Sequence, residues 1–396
     1  MKKGWTYKKL GEVFKTYAGG TPSKANKANY INGTIPWLRS GEVCKKYITE
    51  SELYISEEGL RNSSAKYYPI NTVLIAMYGA TAAQCGILKF EATSNQAVCG
   101  VLPQKDFLPE FVYSYFVYIK DALAAQAQGG AQPNISQEKI KNVYFPCIPL
   151  SEQKLIVSRL DAAFSHIDEL KANAKKQLSE ARALFQKSLA KAMEPKEGWK
   201  EMFLGKIAYI FSGYAFKSAD FKDYGKYQVL RIGNIKQNLL RLSENAVFID
   251  KIDDGLLKKS LLQKGDLVIT QTGTRHKRDY GFVAMVDKIN LLLNQRNACL
   301  RFDNVITAKF FLYYSYTELF KDSFFANEGG TVGQGNVGLG TLKDMCCHFP
   351  PLSEQQRIVE RLDALSVHVR ELEENQKKII SECDALKQAL LRKVFE

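Results

Sequence analysis

The chain has 396 residues, of which 45% are apolar and 24% charged, and its net charge is +13. This composition excludes an intrinsically disordered protein, and the length predicts two or more domains with their own cores. Because no run of about 18 apolar residues occurs and no apolar segment follows the first lysines, we expect a soluble protein of the cytoplasm.

The positive charge lies in two blocks of similar size. The excess of Lys and Arg over Asp and Glu is +6 in residues 1–150 and +6 in residues 196–352, but +2 in 151–195 and −1 in 353–396. A basic block favours a polyanionic partner such as nucleic acid, although ordinary solubility also explains it. The eight cysteines form no C-x-x-C pair, so we expect free thiols and no metal site.

The first block, residues 1–150, is predicted to be a mixed α and β module. VLIAM at 73–77 is typical of a buried strand, and FVYSYFVYIKDAL at 111–123 is typical of a helix. The loop GGTPSKANKANY at 19–30 contains hydroxyls, lysines and tyrosines suited to phosphate contacts. A surface loop without a ligand is an equal alternative for any one of these residues.

A long helix is predicted to follow at 151–195. Pro149 stops the preceding element, Ser151 is a favourable N-cap, and apolar residues then alternate at spacings of four and three, as in a coiled-coil seam. With no glycine, and no proline before Pro195, the segment can remain helical for about 43 residues, or about 64 Å. A helix of this length with a narrow apolar seam needs a partner.

The second block, residues 196–352, repeats the pattern of the first. DLVIT at 266–270 is predicted to be a strand, and KFFLYYSYTELFK at 309–321 a single helix. Between them, TGTRHKRDY at 272–280 occupies the place of YGATAAQC at 78–85. Residues 333–338 formally match G-x-G-x-x-G, but no βαβ unit surrounds them, so a surface loop is the better interpretation.

The last segment, residues 353–396, repeats the first helix. PLSEQKLIVSRLD at 149–161 and PLSEQQRIVERLD at 351–363 are identical at ten of thirteen positions, and Ser353 with Gln356 predicts a capping box. Short motifs of the first module also recur in the second, as in Leu10-Gly11 with Leu204-Gly205 and Asn95-Gln96 with Asn294-Gln295. The chain is therefore a tandem duplication of module and helix.

Connectivity predicts how the copies are arranged. The second module leaves the end of the first helix and returns to the start of the second helix, so a compact module requires antiparallel helices. The predicted fold class is α+β, with two similar modules held apart by two long antiparallel helices in a coiled coil and related by a pseudo-two-fold axis. Two basic modules arranged in this way would read two separated half-sites on DNA.

These features resemble the specificity subunit of type I restriction-modification systems. The resemblance covers the whole chain, and P-L-x-E-Q at the start of a long helix, present twice, is its most specific motif. It implies target-recognition domains at 1–150 and 196–352, a central spacer helix at 151–195 and a C-terminal spacer helix at 353–396. Such a subunit is expected to choose a bipartite double-stranded DNA site, while its helices set the gap and dock two modification (methyltransferase) subunits.

The resemblance also implies a non-catalytic chain without cofactors. S-adenosylmethionine, ATP and Mg are expected only on the partner modification and restriction (helicase-nuclease) subunits. The Asp/Asn-Pro-Pro-aromatic motif of adenine methyltransferases is absent from the sequence, as are a P-loop, a catalytic triad pattern and a nuclease-like carboxylate cluster. We therefore expect no catalytic residues, no metal ligands and no association with a membrane.

Comparison of the two modules predicts which residues contact DNA. Positions alike in both modules hold the fold, whereas unlike residues at matching places can encode different half-sites. Arginine and lysine can reach guanine edges or phosphates, and Gln84 can pair with adenine. A solvated basic turn is the alternative, and the shared Arg39 and Arg231 favour a backbone contact or an internal salt bridge. The predicted DNA-binding residues are Thr21, Ser23, Lys24, Lys27, Arg39, Tyr78, Gln84, Lys217, Arg231, Thr274, Arg275, His276, Lys277, Arg278 and Tyr280.

A second set of residues recurs near the starts of the two long helices. It is predicted to form two equivalent docking sites, one for each methyltransferase subunit, although intramolecular packing and capping explain the recurrence equally well. The set consists of Glu152, Gln153, Arg159, Asp161, Glu354, Gln355, Arg361 and Asp363.

Two other functional classes remain open from the sequence alone. One is a self-sufficient DNA methyltransferase or nuclease, which the absent motifs disfavour. The other is a coiled-coil scaffold that binds only proteins, which the basic modules disfavour less strongly.

Overall fold

A computed structural model describes residues 2–126, 134–275, 277–326, 328–331 and 333–396. The chain forms two compact units: unit 1 comprises Met1–Lys175 and Gln376–Glu396, and unit 2 comprises Lys176–Asn375. Each unit combines helices with strands, which confirms the mixed α and β content predicted for both modules. Within the described ranges, no helix is both long enough and apolar enough to cross a membrane.

Unit 1 is built from short strands, a few short helices and one helix of 17 residues. Its strands are Thr6–Lys9 (β1), Thr16–Ala18 (β2), Ile35–Leu38 (β3), Tyr47–Ile48 (β4), Tyr54–Ile55 (β5), Val73–Ala76 (β6), Cys85–Leu88 (β7), Thr93–Ser94 (β8), Val98–Val101 (β9) and Tyr144–Cys147 (β10). Its helices are Leu10–Val13 (α1), Glu57–Arg61 (α2), Pro109–Ala125 (α3), Gln137–Lys141 (α4), the first part of Leu150–Met193 (α5) and the last part of Leu352–Phe395. Single turns of 3-10 helix lie at Lys27–Asn29, Ser40–Cys44 and Gly79–Thr81.

The main sheet of unit 1 has the strand order β2-β9-β6-β7-β4, and a smaller sheet has the order β5-β3-β8. β6 is buried along its whole length because α3 covers one face of the sheet and a second apolar cluster covers the other. Val73 and Ile75 face the cluster that contains Phe111 and Phe116 of α3, while Leu74 belongs to the second cluster. The predicted strand at 73–77 and helix at 111–123 are thus confirmed.

Unit 2 has a similar plan with a larger number of strands. Its strands are Lys200–Phe203 (β11), Ala208–Ser212 (β12), Tyr227–Leu230 (β13), Ile235–Lys236 (β14), Leu239–Leu240 (β15), Phe248–Ile249 (β16), Leu267–Thr270 (β17), Thr272–Thr274 (β18), Val283–Met285 (β19), Leu291–Leu293 (β20), Asn297–Phe302 (β21), Gly329–Thr331 (β22), Gln334–Asn336 (β23) and Cys346–Phe349 (β24). Its helices are Leu204–Ile207 (α6), Asp254–Ser260 (α7), Val305–Tyr314 (α8), Glu318–Ala326 (α9), Leu339–Asp344 (α10) and most of Leu352–Phe395 (α11). Short 3-10 turns lie at Ser218–Asp220 and Ile232–Asn234.

The main sheet of unit 2 has the order β12-β21-β17-β19 and contains the predicted strand at 266–270. Two predictions need correction here. The single helix at 309–321 is divided between α8 and α9, because the hydroxyls of Ser315 and Thr317 donate to the carbonyls of Leu312 and Tyr314 at 2.5 and 2.7 Å and compete with the helical pattern. The predicted surface loop at 333–338 instead contains β23, the central strand of the sheet β18-β23-β22.

The two long helices are each continuous, at Leu150–Met193 and Leu352–Phe395, but their starts differ from the prediction. The Pro149 carbonyl accepts hydrogen bonds from the backbone of Glu152 and Gln153 at 3.0 and 3.1 Å, and Pro351 does the same in the second copy. Ser151 and Ser353 therefore lie inside the first turn and are not N-caps. The capping box is also absent, since the Gln356 amide donates to Glu360 at 3.0 Å.

Within unit 1, the start of α5 lies beside the end of α11. Lys171 forms an ion pair with Asp384 at 2.5 Å, and Lys387 forms another with Asp168. Because the partner's number falls as the residue number rises, these two segments are antiparallel. In unit 2 the remaining segments of the same helices are joined by Arg182 and Glu373 at 2.6 Å, and Leu189 and Leu362 share its core.

Candidate nucleic-acid interface

The strand directions bring the predicted loops of unit 1 to one edge of its sheet. β2 and β6 end where β9 and β7 begin, since Ala18 lies opposite Cys99 and Ile75 lies opposite Cys85. The loops at 19–34, 77–84 and 95–97 therefore lie side by side, and we call them recognition edge 1. The same pairing in unit 2, with Ser212 opposite Ala298 and Ile269 opposite Val283, places 213–226, 271–282 and 294–296 together as recognition edge 2.

Recognition edge 1 presents the polar residues of the 19–30 loop to solvent. The loop starts with a close backbone approach: Trp37 Nε1 donates to the Gly20 carbonyl at 2.9 Å, and a Cβ on Gly20 would lie 2.2 Å from the Ala65 nitrogen. Only glycine fits there. The predicted residues Thr21, Ser23, Lys24 and Lys27 are all exposed.

A hydrogen bond connects two loops of this edge, because the Thr21 hydroxyl donates to the side-chain oxygen of the exposed Gln96. Tyr78 and Gln84 flank the Gly79–Thr81 turn on the third loop, and both side chains are half-buried. The structure thus brings the six predicted residues of this module's loops to one edge.

Recognition edge 2 contains a tightly bonded basic turn. The Thr274 backbone N–H and hydroxyl both donate to the Asp279 carboxylate, at 2.6 and 3.2 Å, and the backbone bond is the main reason that the pKa of Asp279 is lowered. Arg275 is held by Glu328, with its Nε 3.2 Å from the carboxylate and a second bond of 3.3 Å to the backbone carbonyl. Arg275 and Asp279 therefore fix the shape of the turn.

Lys277 and Arg278 lie at the tip of this turn and are exposed. The Arg278 guanidinium lies 4.9 Å from the ring centroid of Phe325, and Arg278 adopts a φ of +46°. The charge of Lys277 contributes to the lowered pKa of Asp279, but the two residues form no salt bridge in the described part of the chain. Lys217 is exposed on the neighbouring 213–226 loop, and His276 lies outside the described residues. Lys277 and Arg278 are thus the basic side chains of the turn that remain available to a ligand.

Tyr280 is a correction to the predicted set. Its side chain is 3% exposed and packs against Phe324 and Phe325, with ring centroids 5.9 and 5.1 Å apart. Its hydroxyl donates to Glu328, and burial, followed by this carboxylate, raises the pKa of Tyr280. The side chain therefore supports the base of the basic turn and offers almost no surface to a ligand.

The shared arginines make internal contacts in both units. Arg39 forms an ion pair with Glu52 at 2.9 Å and lies 3.9 Å from Glu42. Arg231 donates to the Asn245 carbonyl, and its backbone N–H donates to Asn234 Oδ1 at 3.0 Å. These contacts favour the structural alternative for both arginines over a DNA contact.

The comparison of the two modules did not predict two further basic residues, one in recognition edge 2 and one beside it. Arg296 is exposed in the turn between β20 and β21, and Lys236 is half-buried on β14. Both line an open cleft of about 400 Å³ together with Thr274 and Gln334. The turn at 294–296 was assigned a structural role because its Asn-Gln pair recurs in both modules. Arg296, which follows this pair, was therefore not considered as a DNA-binding residue.

The predicted docking residues Gln153 and Gln355 are buried, which corrects their assignment to a subunit surface. Gln153 Nε2 donates to the Asp106 and Ile148 carbonyls, each at 2.9 Å, and Gln153 Oε1 accepts from the Leu108 N–H at 2.9 Å. Gln355 Nε2 donates to the Pro350 carbonyl at 2.9 Å. The glutamine of the PLSEQ motif therefore anchors the start of each helix.

The other residues of this set divide into two groups. Glu152 accepts from Trp5 Nε1 at 3.0 Å, and Glu354 lies 3.9 Å from Lys196. The two aspartates also have intramolecular partners: Asp161 pairs with Lys46 at 2.5 Å, while Asp363 binds Lys309 at 2.7 Å and Tyr313 at 2.6 Å. Arg159 and Arg361 are exposed and remain candidates for docking.

The three hydrogen bonds of Gln153 predict a large effect of its removal. We expect Gln153→Ala to lower the free energy of unfolding of unit 1 by about 2–4 kcal/mol, because buried backbone groups lose their partners. The change of Gln356, the exposed residue that directly follows Gln355 in the second copy, to Ala should cost less than about 0.5 kcal/mol. Urea unfolding of both variants measures the difference, and equal midpoints would contradict the anchoring role.

The described residues contain no cluster of three or more His, Cys, Asp and Glu side chains that could hold a metal ion. The two edges instead offer exposed hydroxyl, amide and basic groups, which are the groups that contact DNA phosphates and base edges. A family model described as the type I restriction modification DNA specificity domain matches residues 2–180 and again 196–382.

Similar proteins of known sequence are specificity subunits. The EcoKI specificity subunit of Escherichia coli (strain K12) is 23% identical over 425 residues, a match that covers 100% of this chain and 89% of that protein. The EcoR124I/EcoR124II specificity subunit of Escherichia coli is 33% identical over 160 residues, which are 39% of this chain and only 40% of that protein.

Two solved structures share the fold. A chain from a study of complex assembly and conformational transition in the type I R-M system has a TM-score of 0.79 at 19% identity, covering 100% of this chain and 98% of that one. The HsdS subunit from Thermoanaerobacter tengcongensis has a TM-score of 0.58 at 18% identity, covering 100% and 97%. With the domain matched twice over most of its length, the chain belongs to the family of type I restriction-modification DNA specificity proteins.

Proposed function

We propose that the chain is the sequence-specific DNA-binding subunit of a type I restriction-modification complex and that it reads a bipartite double-stranded site. The observation that carries this proposal is the pair of recognition edges. Both are formed by equivalent loops of a duplicated framework, yet they present different side chains, such as Gln84 in one and Lys277 and Arg278 in the other. Different side chains at equivalent places are what two unlike half-sites require.

In this proposal the target-recognition domains span 1–150 and 196–352, and the chain works in the cytoplasm with modification and restriction subunits. Those subunits supply S-adenosylmethionine, ATP and Mg²⁺, and this chain binds none of them. The exposed Arg159 and Arg361, at equivalent places on α5 and α11, are the residues of the predicted docking set that best suit contact with two identical partners.

Reconstitution tests whether this chain only binds DNA while its partner subunits carry out catalysis. We expect the purified chain alone to bind duplex DNA but to transfer no labelled methyl group and to cut no DNA, and methylation should appear when its cognate methyltransferase subunit is added. Methylome sequencing of cells that carry the complete system then gives the bipartite site. Methyl transfer by the chain alone would refute the proposal, as would equal affinity for the methylome-derived site and a scrambled duplex.

We also propose that α5 and α11 pair as an antiparallel coiled coil that sets the gap between the half-sites. The ion pairs of Lys171 with Asp384 and of Arg182 with Glu373, each within its own unit, support this pairing. One heptad inserted into each helix at matching positions preserves the apolar seam and lengthens each helix by about 10 Å. That length is about three base pairs.

For this double insertion we expect methylation at the original gap to fall at least about tenfold, with any remaining activity shifted to a longer gap. The measurement is methylation of a DNA library in which the half-sites are kept and only the gap length varies. A single insertion in α5 alone is the control, since it breaks the match of the two seams and should lower methylation at every gap length. Unchanged methylation at the original gap would contradict the spacer role.

A further inference from the structure

Gln153 and Gln355 occupy equivalent places but differ in their contacts. In unit 1 the Gln153 amide binds an extended segment at two points, donating to the Asp106 carbonyl and accepting from the Leu108 N–H, each at 2.9 Å. In unit 2, among the described residues, the Gln355 side chain bonds only to the Pro350 carbonyl, at 2.9 Å. Gln355 Oε1 has no partner in the described part of the chain, although the residue is only 7% exposed. Buried polar atoms of this kind are normally hydrogen-bonded.

The difference arises from the length of one connection. In unit 1, residues 102–108 join β9 to α3 and cover Gln153, whereas in unit 2 only Asp303 and Asn304 join β21 to α8. Where unit 1 has residues 102–108, unit 2 has an open pocket of about 460 Å³. Gln355 lines this pocket, and its buried Oε1 has no partner among the described residues, whereas the equivalent Gln153 Oε1 accepts from the backbone N–H of Leu108 in the covering segment.

The lining of the pocket indicates what it can bind. Ile207, Phe302 and Phe349 give it an apolar floor, and in unit 1 the covering segment places Phe107 against aromatic rings, 5.0 Å from Phe14 and 5.5 Å from Phe145. The charge differs from unit 1, because Lys200 and Lys206 line the pocket at the positions of Thr6 and Glu12. Both lysines are exposed, and Asp303 is the acidic residue among those that line the pocket.

We propose that this pocket binds an extended acidic segment of a partner protein. The backbone of the segment bonds to the free donor and acceptor of the Gln355 amide, as residues 106–108 bond to Gln153. A hydrophobic side chain of the segment lies on the apolar floor, and its acidic side chains lie beside Lys200 and Lys206. This interaction does not involve either recognition edge and does not rest on the function proposed above.

The probe is a labelled, end-capped peptide, PQEDFLPE, which is residues 103–110 of this chain with Lys105→Glu. Fluorescence anisotropy on the full chain should show saturable binding. Gln355→Ala should weaken it about tenfold or more, since two hydrogen bonds are worth at least about that factor. The matched control is Gln356→Ala, the exposed neighbour, which should leave the affinity unchanged. The double change Lys200→Glu and Lys206→Glu should weaken PQEDFLPE and favour the basic peptide PQKKFLPE.

A filled pocket gives a second test. Replacing Asp303 and Asn304 by the seven residues 102–108 should restore both bonds to Gln355 and abolish peptide binding. Equal affinities in the wild type, Gln355→Ala and Gln356→Ala, or no preference between acidic and basic peptides, would overturn the proposal. Self-association of the wild type that Gln355→Ala removes, with no peptide binding, would overturn it in favour of a second copy of the chain.

Discussion

A chain in which Lys277 and Arg278 are both glutamine should bind its bipartite site about 30-fold more weakly or worse. Each basic side chain that contacts a phosphate or a guanine edge contributes about 1–3 kcal/mol, so two such losses give at least this factor. The slope of log affinity against log salt should also fall by about 1.8, because two fewer counterions are released. Arg275 and Asp279 are kept, so that the bonds to Glu328 and Thr274 preserve the turn.

The matched control removes the same charge elsewhere in unit 2. Lys258 and Lys259 lie on α7, which precedes the start of β17, whereas the basic turn follows the end of β17. Both lysines are exposed, and changing both to glutamine should alter affinity less than about threefold, because only the long-range field changes. Affinity is measured over a salt series on the site given by methylome sequencing. Equal losses in the two variants would show that net charge, not the turn, determines binding.

The choice of bases read by the turn can be measured separately from affinity in the same two variants. Methylome sequencing of the Lys277 and Arg278 variant should show relaxed bases in one half-site and an unchanged other half-site, since only recognition edge 2 is altered. Changes in both half-sites, or in neither, would remove this turn from the set of base-reading elements.

The repeated features of the fold were predictable from the sequence because they depend on local patterns. The strand at 73–77, the helix at 111–123 and the two long helices follow from apolar periodicity and from prolines that end the preceding elements. The start of each long helix was predicted one residue late. In this turn the Pro149 carbonyl accepts from the backbone N–H groups of Glu152 and Gln153, where the Ser151 side chain was expected to cap the helix. The Gln153 side chain anchors the start of the helix to residues 45 and 47 positions away.

The candidate site was predicted less completely because its members are defined by contacts distant in sequence. Arg275, Lys277 and Arg278 look alike as a basic run, but Glu328, 53 residues beyond Arg275, holds that residue alone in a salt bridge. Tyr280 ends the same run and is removed from the surface by Phe324, Phe325 and Glu328. Comparing the two modules selected loops that lie at one edge of a sheet in both copies, but it could not rank the residues within a loop.

Phe395→Ala is expected to destabilise unit 1 strongly. Phe395 is 1% exposed, and its ring lies 5.7 Å from Phe111, 5.2 Å from Tyr115 and 5.3 Å from Tyr118. The end of α11 thus completes a core otherwise made by residues far earlier in the chain. Loss of a fully buried phenylalanine costs about 3–5 kcal/mol, because apolar burial is lost and a cavity remains.

For a unit of about 200 residues this loss corresponds to a melting temperature lower by about 6–20 °C. Trp5 and Trp37 lie in unit 1 and Trp199 in unit 2, so fluorescence in a Trp199→Phe background reports unit 1 alone. Leu386→Ala, on the same helix but 48% exposed, is the control and should shift the midpoint by less than about 2 °C. Recognition by edge 1 should weaken with the unfolding of unit 1, because its loops are held by the sheet whose core Phe395 completes. If Phe395→Ala and Leu386→Ala had the same melting temperature, the end of α11 would not be part of the core of unit 1.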